Sequence, residues 1–402
     1  MRSYQFQKVI SFASMILIDK PFVSDFLIQT IRESKYSVVS TEIAKELVND
    51  DSISWISEEQ AASYLKENPE SPLYTNSENA LTWVFNHLND SHFAKQARLF
   101  KDKLRFRELI HASFPDFFFK PVHLKDIQSL NPETLPYPFV IKPTVGFFSI
   151  GVHVVKSEEQ WNLAKKELNI EKLRSIFPAS VLDTSLFIIE NYIEGEEFAI
   201  DCYYNQSGEV VVLNIFHHKF SSGADTSDRV YTTSKDIVFK YKDSFSEFLQ
   251  SIGQQAGLKN FPVHVELRVD NEGIIIPIEI NPLRFGGWCT TADLLGIATG
   301  FSPYEFYLQN KQPDWEVVFK GRENKKFSIV VLNNNSGYAP EEIEYFDYKL
   351  LSSDFEKPLL IRELDVEKFP VFGFVFTETS AGNDKELNKI LVSDLRKYIT
   401  VK

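Results

Sequence analysis

The sequence predicts an α/β protein built from three units in series, and three observations carry that expectation. Residues 1–95 alternate short apolar runs with helix-period segments, the pattern of a small parallel α/β domain. After Pro136 longer strands dominate, with helical stretches between some of them. From Phe327 a shorter set of strands ends in a helical stretch, which reads as a small α/β lobe. The expected boundaries are 1–95, 96–320 and 321–402.

Each element follows from local pattern. Val9–Ile18 is apolar after Arg2 and Lys8, as a signal core would be. Asp19, Lys20 and Pro21 stand where a small-residue cleavage site belongs, so the run is expected to be a buried first strand. Val23–Arg32 places Phe26, Leu27, Ile28 and Ile31 on or near one helix face, and Tyr36–Val39 reads as a strand before a polar helix from Thr41. Pro72–Tyr74 reads as a strand before a helix carrying Leu81, Val84, Phe85 and Leu88. Phe93–His111 looks helical and basic, and most of its lysines and arginines are expected on a solvated face. Strands are expected at Phe139–Lys142, Val152–Val155, Phe187–Glu190, Glu197–Tyr204, Val210–Phe216, Val263–Val269 and Ile274–Ile280. Helices are expected at Glu158–Leu168 and Phe245–Ala256, and the last lobe should hold strands at Ser328–Leu332, Leu359–Ile361 and Val371–Thr377 before a helix over Asp384–Ile399.

Composition narrows the function classes. A chain of 402 residues with 43% hydrophobic and 25% charged residues is an ordinary globular one. The net charge of −13 disfavours general binding to nucleic acid or an anionic membrane. Two cysteines, Cys202 and Cys289, offer no Cys-rich zinc site or disulfide framework, and with no apolar run of membrane-spanning length they suit a cytoplasmic setting. Sixteen glycines are few, since average usage gives roughly 28. The first is Gly146, so no glycine-rich nucleotide loop lies in the first third.

The chemistry-bearing residues cluster further along. Ile278-Glu279-Ile280-Asn281-Pro282 follows Val263-His264-Val265-Glu266-Leu267-Arg268 across the turn residues Asp270, Asn271 and Gly273. Period-two alternation puts Glu279 with Asn281, and His264 with Glu266 and Arg268, leaving Ile278 and Ile280 on the apolar side. An antiparallel hairpin would bring Glu266 and Glu279 together, a repulsive pair that a hard divalent cation with phosphate oxygens would resolve. A solvated ribbon face is the plainer alternative. Upstream, Phe139-Val140-Ile141-Lys142-Pro143 places a lysine in an apolar strand, followed by a loop bounded by Gly146 and Gly151. Ile188-Ile189-Glu190-Asn191-Tyr192-Ile193-Glu194-Gly195-Glu196-Glu197 then joins two strands with acidic ends.

In order, Lys103, the V-I-K-P strand with its Gly/Ser loop, E-x-Y-I-x-G-x-E, H-x-E-L-R and E-I-N-P resemble an ATP-grasp enzyme over roughly residues 95–310. The resemblance implies the ATP-grasp fold, with 139–190 as a subdomain that covers the nucleotide and a preceding α/β domain before it. It implies ATP with Mg²⁺, or Mn²⁺ in its place. Lys103 and Lys142 would contact the phosphates, with Ser149 in the loop closing over them. Glu190 would meet the adenine amino group with the backbone of Asn191 to Ile193, and Glu197 the ribose. Glu266, Glu279 and Asn281 would hold the metal.

Many members continue N-P-R, whereas here Asn281-Pro282-Leu283-Arg284 sets the candidate catalytic guanidinium one residue later, beside Gly286 and Gly287, which permit close substrate approach. Lys142 shares the catalytic role. The polar loop 216–231 offers Lys219 or Arg229 as substrate partners, and Arg268 is a further substrate candidate. The expected activity is carboxylate–amine ligation through an acyl phosphate, with small-molecule acid and amine substrates and no nucleic-acid or membrane partner. The oligomeric state is left open, a homodimer among the options. Carboxylation or phosphotransfer on the same scaffold, and non-catalytic ATP binding, are the competing readings.

Overall fold

Short apolar triplets build the first sheet. β1 (Met15–Leu17), β2 (Ser37–Val39), β3 (Ser54–Ile56) and β4 (Leu73–Thr75) lie parallel in the order β3-β2-β1-β4. Parallel neighbours need crossovers, and helices Asp25–Ser34, Glu42–Leu47 and Glu58–Glu67 supply them. These helices start without glycine: the hydroxyls of Ser24, Thr41 and Ser57 each accept a backbone N–H bond from the first turn. The structure is a computed structural model that describes residues 14–146, 151–168, 186–221 and 228–402. The first half of the expected strand Val9–Ile18 therefore lies outside the described residues, and the second half contains β1.

The basic segment 93–111 departs from expectation. It forms two helices, His92–Lys101 and Lys103–Ile110, because the Asp102 carboxylate accepts from the backbone of Leu104 and Arg105 and starts a new helix. Nor is its charge all solvated: Arg107 is buried, and Lys101 and Lys103 are mostly so.

A second sheet follows, antiparallel throughout. β5 (Phe119–His123), β6 (Phe139–Pro143), β7 (His153–Val155) and β8 (Leu186–Asn191) take the order β5-β8-β6-β7. One face buries Phe139, Ile141, Phe187 and Ile189 against Trp161 of helix Glu158–Glu167, giving this layer a core of its own.

The remaining long strands make one antiparallel sheet. They are β9 (Glu196–Tyr204), β10 (Val210–Lys219), β11 (Val230–Ser234), β12 (Phe261–Val269), β13 (Ile275–Pro282) and β14 (Lys325–Asn333). β15 (Ile343–Phe346) pairs only with the C-terminal β18 (Ile399–Val401), while β16 (Lys357–Glu363) and β17 (Val371–Ser380) join the main sheet. The order is β13-β12-β9-β10-β11-β14-β17-β16, so the last lobe extends the sheet of the middle unit. Arg268, Glu197, His218, Tyr231 and Ile329 are successive partners across it, and side chains of one row share a face.

Three local expectations change. Both ends of the stretch 216–231 are strand, because β10 continues to Lys219 and β11 begins at Val230; residues 222–227, Asp225 among them, lie outside the described residues. The helix expected from Phe245 begins at Lys235, where the Ser234 hydroxyl caps it. The terminal helix ends at Leu391, and Leu395 at φ 66° turns the chain into β18.

Gly195, between β8 and β9, has φ +119°, and a Cβ there would lie 2.1 Å from the Val269 carbonyl oxygen. That conformation is accessible chiefly to glycine. Gly195→Ala is expected to lower stability by at least about 1–3 kcal/mol, measured by chemical denaturation. A variant as stable as the parent would show that the β12 end yields to the new methyl group.

Candidate active site

The hairpin β12–β13 is set by its turn. The Asp270 carboxylate accepts from the backbone of Glu272 and Ile274, and Gly273 takes φ +84°. Pairing then places His264 opposite Asn281 and Glu266 opposite Glu279. Leu267 pairs with Pro277, so Ile278 is an extra residue in a β-bulge. The bulge corrects the simple alternation: Ile278 lines the same cavity as Glu279, while Ile280 stays in the core.

Buried charges around this hairpin are mostly paired. The Glu190 carboxylate accepts from Arg107 Nε at 2.8 Å and Nη2 at 3.2 Å, and lies 2.7 Å from Lys142 Nζ. Arg107 Nη1 also donates to the Pro277 carbonyl at 2.7 Å, tying the second sheet to β13. Burial would raise the Glu190 pKa, but Arg107 and Lys142 hold it at about 2. Burial likewise lowers Lys142, and Glu190 restores part of its charge preference. Lys103 Nζ is 3.1 Å from Glu279. Burial works against the Lys103 charge, yet Glu279 outweighs it and the pKa rises. For Glu279 the balance reverses: burial pushes up, and the Lys103, Lys142 and Lys101 charges bring it well below the carboxylate range.

Glu266 has only the weaker help of the Arg284 charge. Burial and the neighbouring Glu279 charge push it well above an ordinary glutamate, and the nearest ionisable partner among the described residues is His264 Nε2 at 3.7 Å. Two carboxylates and the Asn281 amide present hard oxygen donors with a deficit of positive charge, which fits Mg²⁺ or Mn²⁺ rather than a softer metal. Among the described residues no three His, Cys, Asp or Glu side chains form a closed metal cage. An ion bound here would draw its remaining ligands from phosphate and water.

At the other end, Glu197 is clamped by His218 Nδ1 at 2.8 Å and Arg268 Nε at 2.9 Å. Arg268 Nη1 donates to the Ile193 carbonyl at 2.5 Å and its guanidinium lies over the Tyr192 ring. Arg268 thus braces the 190–197 connection. The Asn191 side chain faces Phe118, whose backbone N–H it accepts at 2.6 Å.

Arg284 is fixed from the first domain. Its Nη2 lies 2.7 Å from Glu78 Oε1, and Nη1 donates to the Phe285 carbonyl. Gly286 N–H donates to Asp201 and to Thr291, and an added Cβ would meet Thr291 at 2.4 Å. Asp201, fully buried, also accepts from Asn214 and Thr291 and contacts His264 Nδ1 at 2.6 Å.

A cavity of about 600 Å³ gathers Lys142, Glu190, Asn191, Ile193, Glu197, Glu266, Arg268, Glu279, Asn281, Arg284, Gly286 and Gly287. Lys103 reaches this cluster through Glu279. Ser149 lies outside the described residues. Lys219 is not part of the cavity lining, although its neighbours His218 and Phe220 are: its side chain leaves on the other side of the strand and its ammonium donates to Asn388. Arg229 is buried and is not part of the cavity lining. The sequence reading missed Arg107, Glu78 and Asp201. Arg107 stands four residues after Lys103, on the same helix face, and that spacing was the available signal.

Residues 135–292 match the ATP-grasp domain family. The chain carries an ATP-grasp domain. A D-alanine–D-alanine ligase from Pediococcus pentosaceus is 25% identical over 172 residues, which are 41% of this chain and 44% of that relative. The chain thus spans less than half the length of that curated relative. The fold is similar to an L-amino acid ligase from Bacillus licheniformis, with TM-score 0.66, 18% identity and coverage of 97% of this chain and 98% of that one. A biotin carboxylase from Campylobacter jejuni gives TM-score 0.61 at 14% identity, covering 97% and 92%. At these identities the structural likeness establishes the ATP-grasp fold.

Arg107, which precedes the matched segment, is the test of the buried charge cluster. Arg107→Met is expected to destabilise the protein by about 3–5 kcal/mol, because it strands a buried carboxylate beside a single cation. Glu190 contributes stability above its ordinary pKa of 4.5 that is lost as pH falls toward about 2. The variant should lose that contribution at a higher pH than the parent, read from denaturation curves across pH 2 to 6.

Proposed function

We propose that the protein is an ATP-dependent carboxylate–amine ligase that forms an amide or peptide bond and releases ADP and phosphate. The observation that carries this reading is the placement of Arg284 beside Glu266, Glu279 and Asn281 in one cavity that continues past the nucleotide residues. Nucleotide binding alone has no need of a fixed guanidinium at that point. The likeness to an L-amino acid ligase over almost the whole chain supports the same reading.

In this mechanism Lys103 and Lys142 face the phosphates, while the 190–193 segment and Glu197 hold adenine and ribose. Mg²⁺ or Mn²⁺ at Glu266, Glu279 and Asn281 supplies charge neutralisation on the phosphates. The substrate carboxylate attacks the γ-phosphorus, the bond to ADP breaks, and an acyl phosphate forms. The amine, as its free base, then attacks the acyl carbon; phosphate leaves and the amine proton passes to solvent. Arg284 holds the carboxylate and then the oxyanion that develops on it. Glu78 keeps the guanidinium in place, and its own carboxyl, which burial would raise, is held at about 2 by Lys101 and Arg284.

Arg284→Ala is expected to bind Mg·ATP like the parent while acid- and amine-dependent ADP release falls on the order of 10²–10³-fold. Normal ADP release would remove Arg284 from the mechanism. ADP release that needs an acid but no amine favours phosphotransfer or carboxylation, and ADP release with neither favours a binding protein. Removing divalent metal with EDTA is expected to abolish turnover, and Mg²⁺ to restore it. Turnover that survives chelation would exclude Glu266, Glu279 and Asn281 as a metal site.

A further inference from the structure

We propose that the cavity beyond Arg284 is an acyl-substrate compartment for a carboxylic acid with a bulky apolar side chain, such as a branched or aromatic α-amino acid. The inference rests on the ligase reading and names the substrate class of that site. Its polar end comes from the first domain. Thr75 N–H donates to the Leu283 carbonyl and Glu78 pairs with Arg284, so residues 75–78 run alongside 283–284. Ser77 in this segment lines the cavity, is only 7% exposed, and its hydroxyl finds no hydrogen-bond partner among the described residues. A buried hydroxyl without a partner calls for a ligand or water there. With Arg284 it makes a donor pair suited to a carboxylate.

The apolar end comes mainly from the other terminus of the chain. Ile329 and Val331 on β14 and Phe374 on β17 line the cavity, with Val331 and Phe374 directly paired. Trp288 completes the wall, its ring centroid 5.8 Å from that of Phe374. Trp288 is held there at φ 58°, its carbonyl accepting from Arg362 Nη1 at 2.7 Å. The side chains of this wall are apolar, and the Arg362 guanidinium beside it is already paired with Asp293, so an acidic or basic side chain lying on it would lose water without compensation. A large apolar side chain would instead exchange water for contact.

The test uses the full chain with Mg·ATP and hydroxylamine, which traps an acyl phosphate as its hydroxamate. Glycine, alanine, aspartate, lysine, leucine and phenylalanine serve as acids. Leucine and phenylalanine are expected to exceed glycine and aspartate in kcat/KM by at least about tenfold. Val331→Trp fills the compartment and should reverse the order, favouring alanine over phenylalanine. Ser77→Ala should raise KM for leucine roughly tenfold. Mg·ATP affinity, measured on each variant, shows that it has folded. Hydroxamate that forms fastest with small or charged acids, or an order unchanged in Val331→Trp, overturns the compartment and leaves the ligase reading standing. ADP release that no acid stimulates overturns the ligase reading, and the compartment with it.

Discussion

A carboxylate buried as deeply as that of Glu190 has to be paired, and the pairing organises the domain. Its two cations come from different elements: Lys142 from β6 and Arg107 from helix Lys103–Ile110. Arg107 also binds a carbonyl of β13. One ionic cluster therefore joins the β5–β8 sheet to the sheet that carries the acidic hairpin. Hydrophobic packing gives each sheet its own core, but it does not fix one relative to the other with this directionality. Ion pairs made through a planar guanidinium do.

The same accounting separates the two carboxylates of the hairpin. Glu279 sits among three lysines and keeps its charge, whereas Glu266 is half-buried beside that charge with only Arg284 to oppose it. Such an imbalance is unfavourable in the isolated chain. Under the proposed function, a divalent cation at Glu266, Glu279 and Asn281 would relieve it. The β-bulge at Ile278 contributes a second asymmetry, placing an apolar side chain in line with the acidic ones.

Much of this was legible in the sequence because it depends on short spacings. Alternation over two residues put Glu279 with Asn281, and the Asp270–Gly273 turn fixed Glu266 opposite Glu279. The strand alternation of residues 1–95 likewise gave the parallel sheet. What escaped was long-range pairing. Arg107 lies 83 residues from Glu190, and Glu78 lies 206 from Arg284, so neither pattern nor propensity marks them. Ile278 escaped for a different reason: a bulge shifts the period-two rule by one residue and leaves no trace in composition. The basic run 93–111 misled because a charge run is usually solvated, and here three of its cations meet the half-buried carboxylates of Glu78 and Glu279 and the buried one of Glu190.

The far end of the cavity depends on longer separations still. Asp293 accepts from Ser24 of the first domain, 269 residues away, and from Tyr304, and it pairs with Arg362 of β16. Burial pushes the Asp293 carboxyl up to about 6, opposed by the Arg362 charge. Arg362 in turn holds the Trp288 carbonyl and lies against the rings of Phe22 and Phe374. A single buried polar knot thus couples the first domain, the helix after Arg284 and the last strands of the main sheet. The shape of the compartment belongs to all three at once, which is why no one segment of the sequence spells out its ligand. Under the proposed function, a change of acid preference would require residues from both ends of the chain to shift together, whereas the hairpin carboxylates and Lys142 could stay as they are.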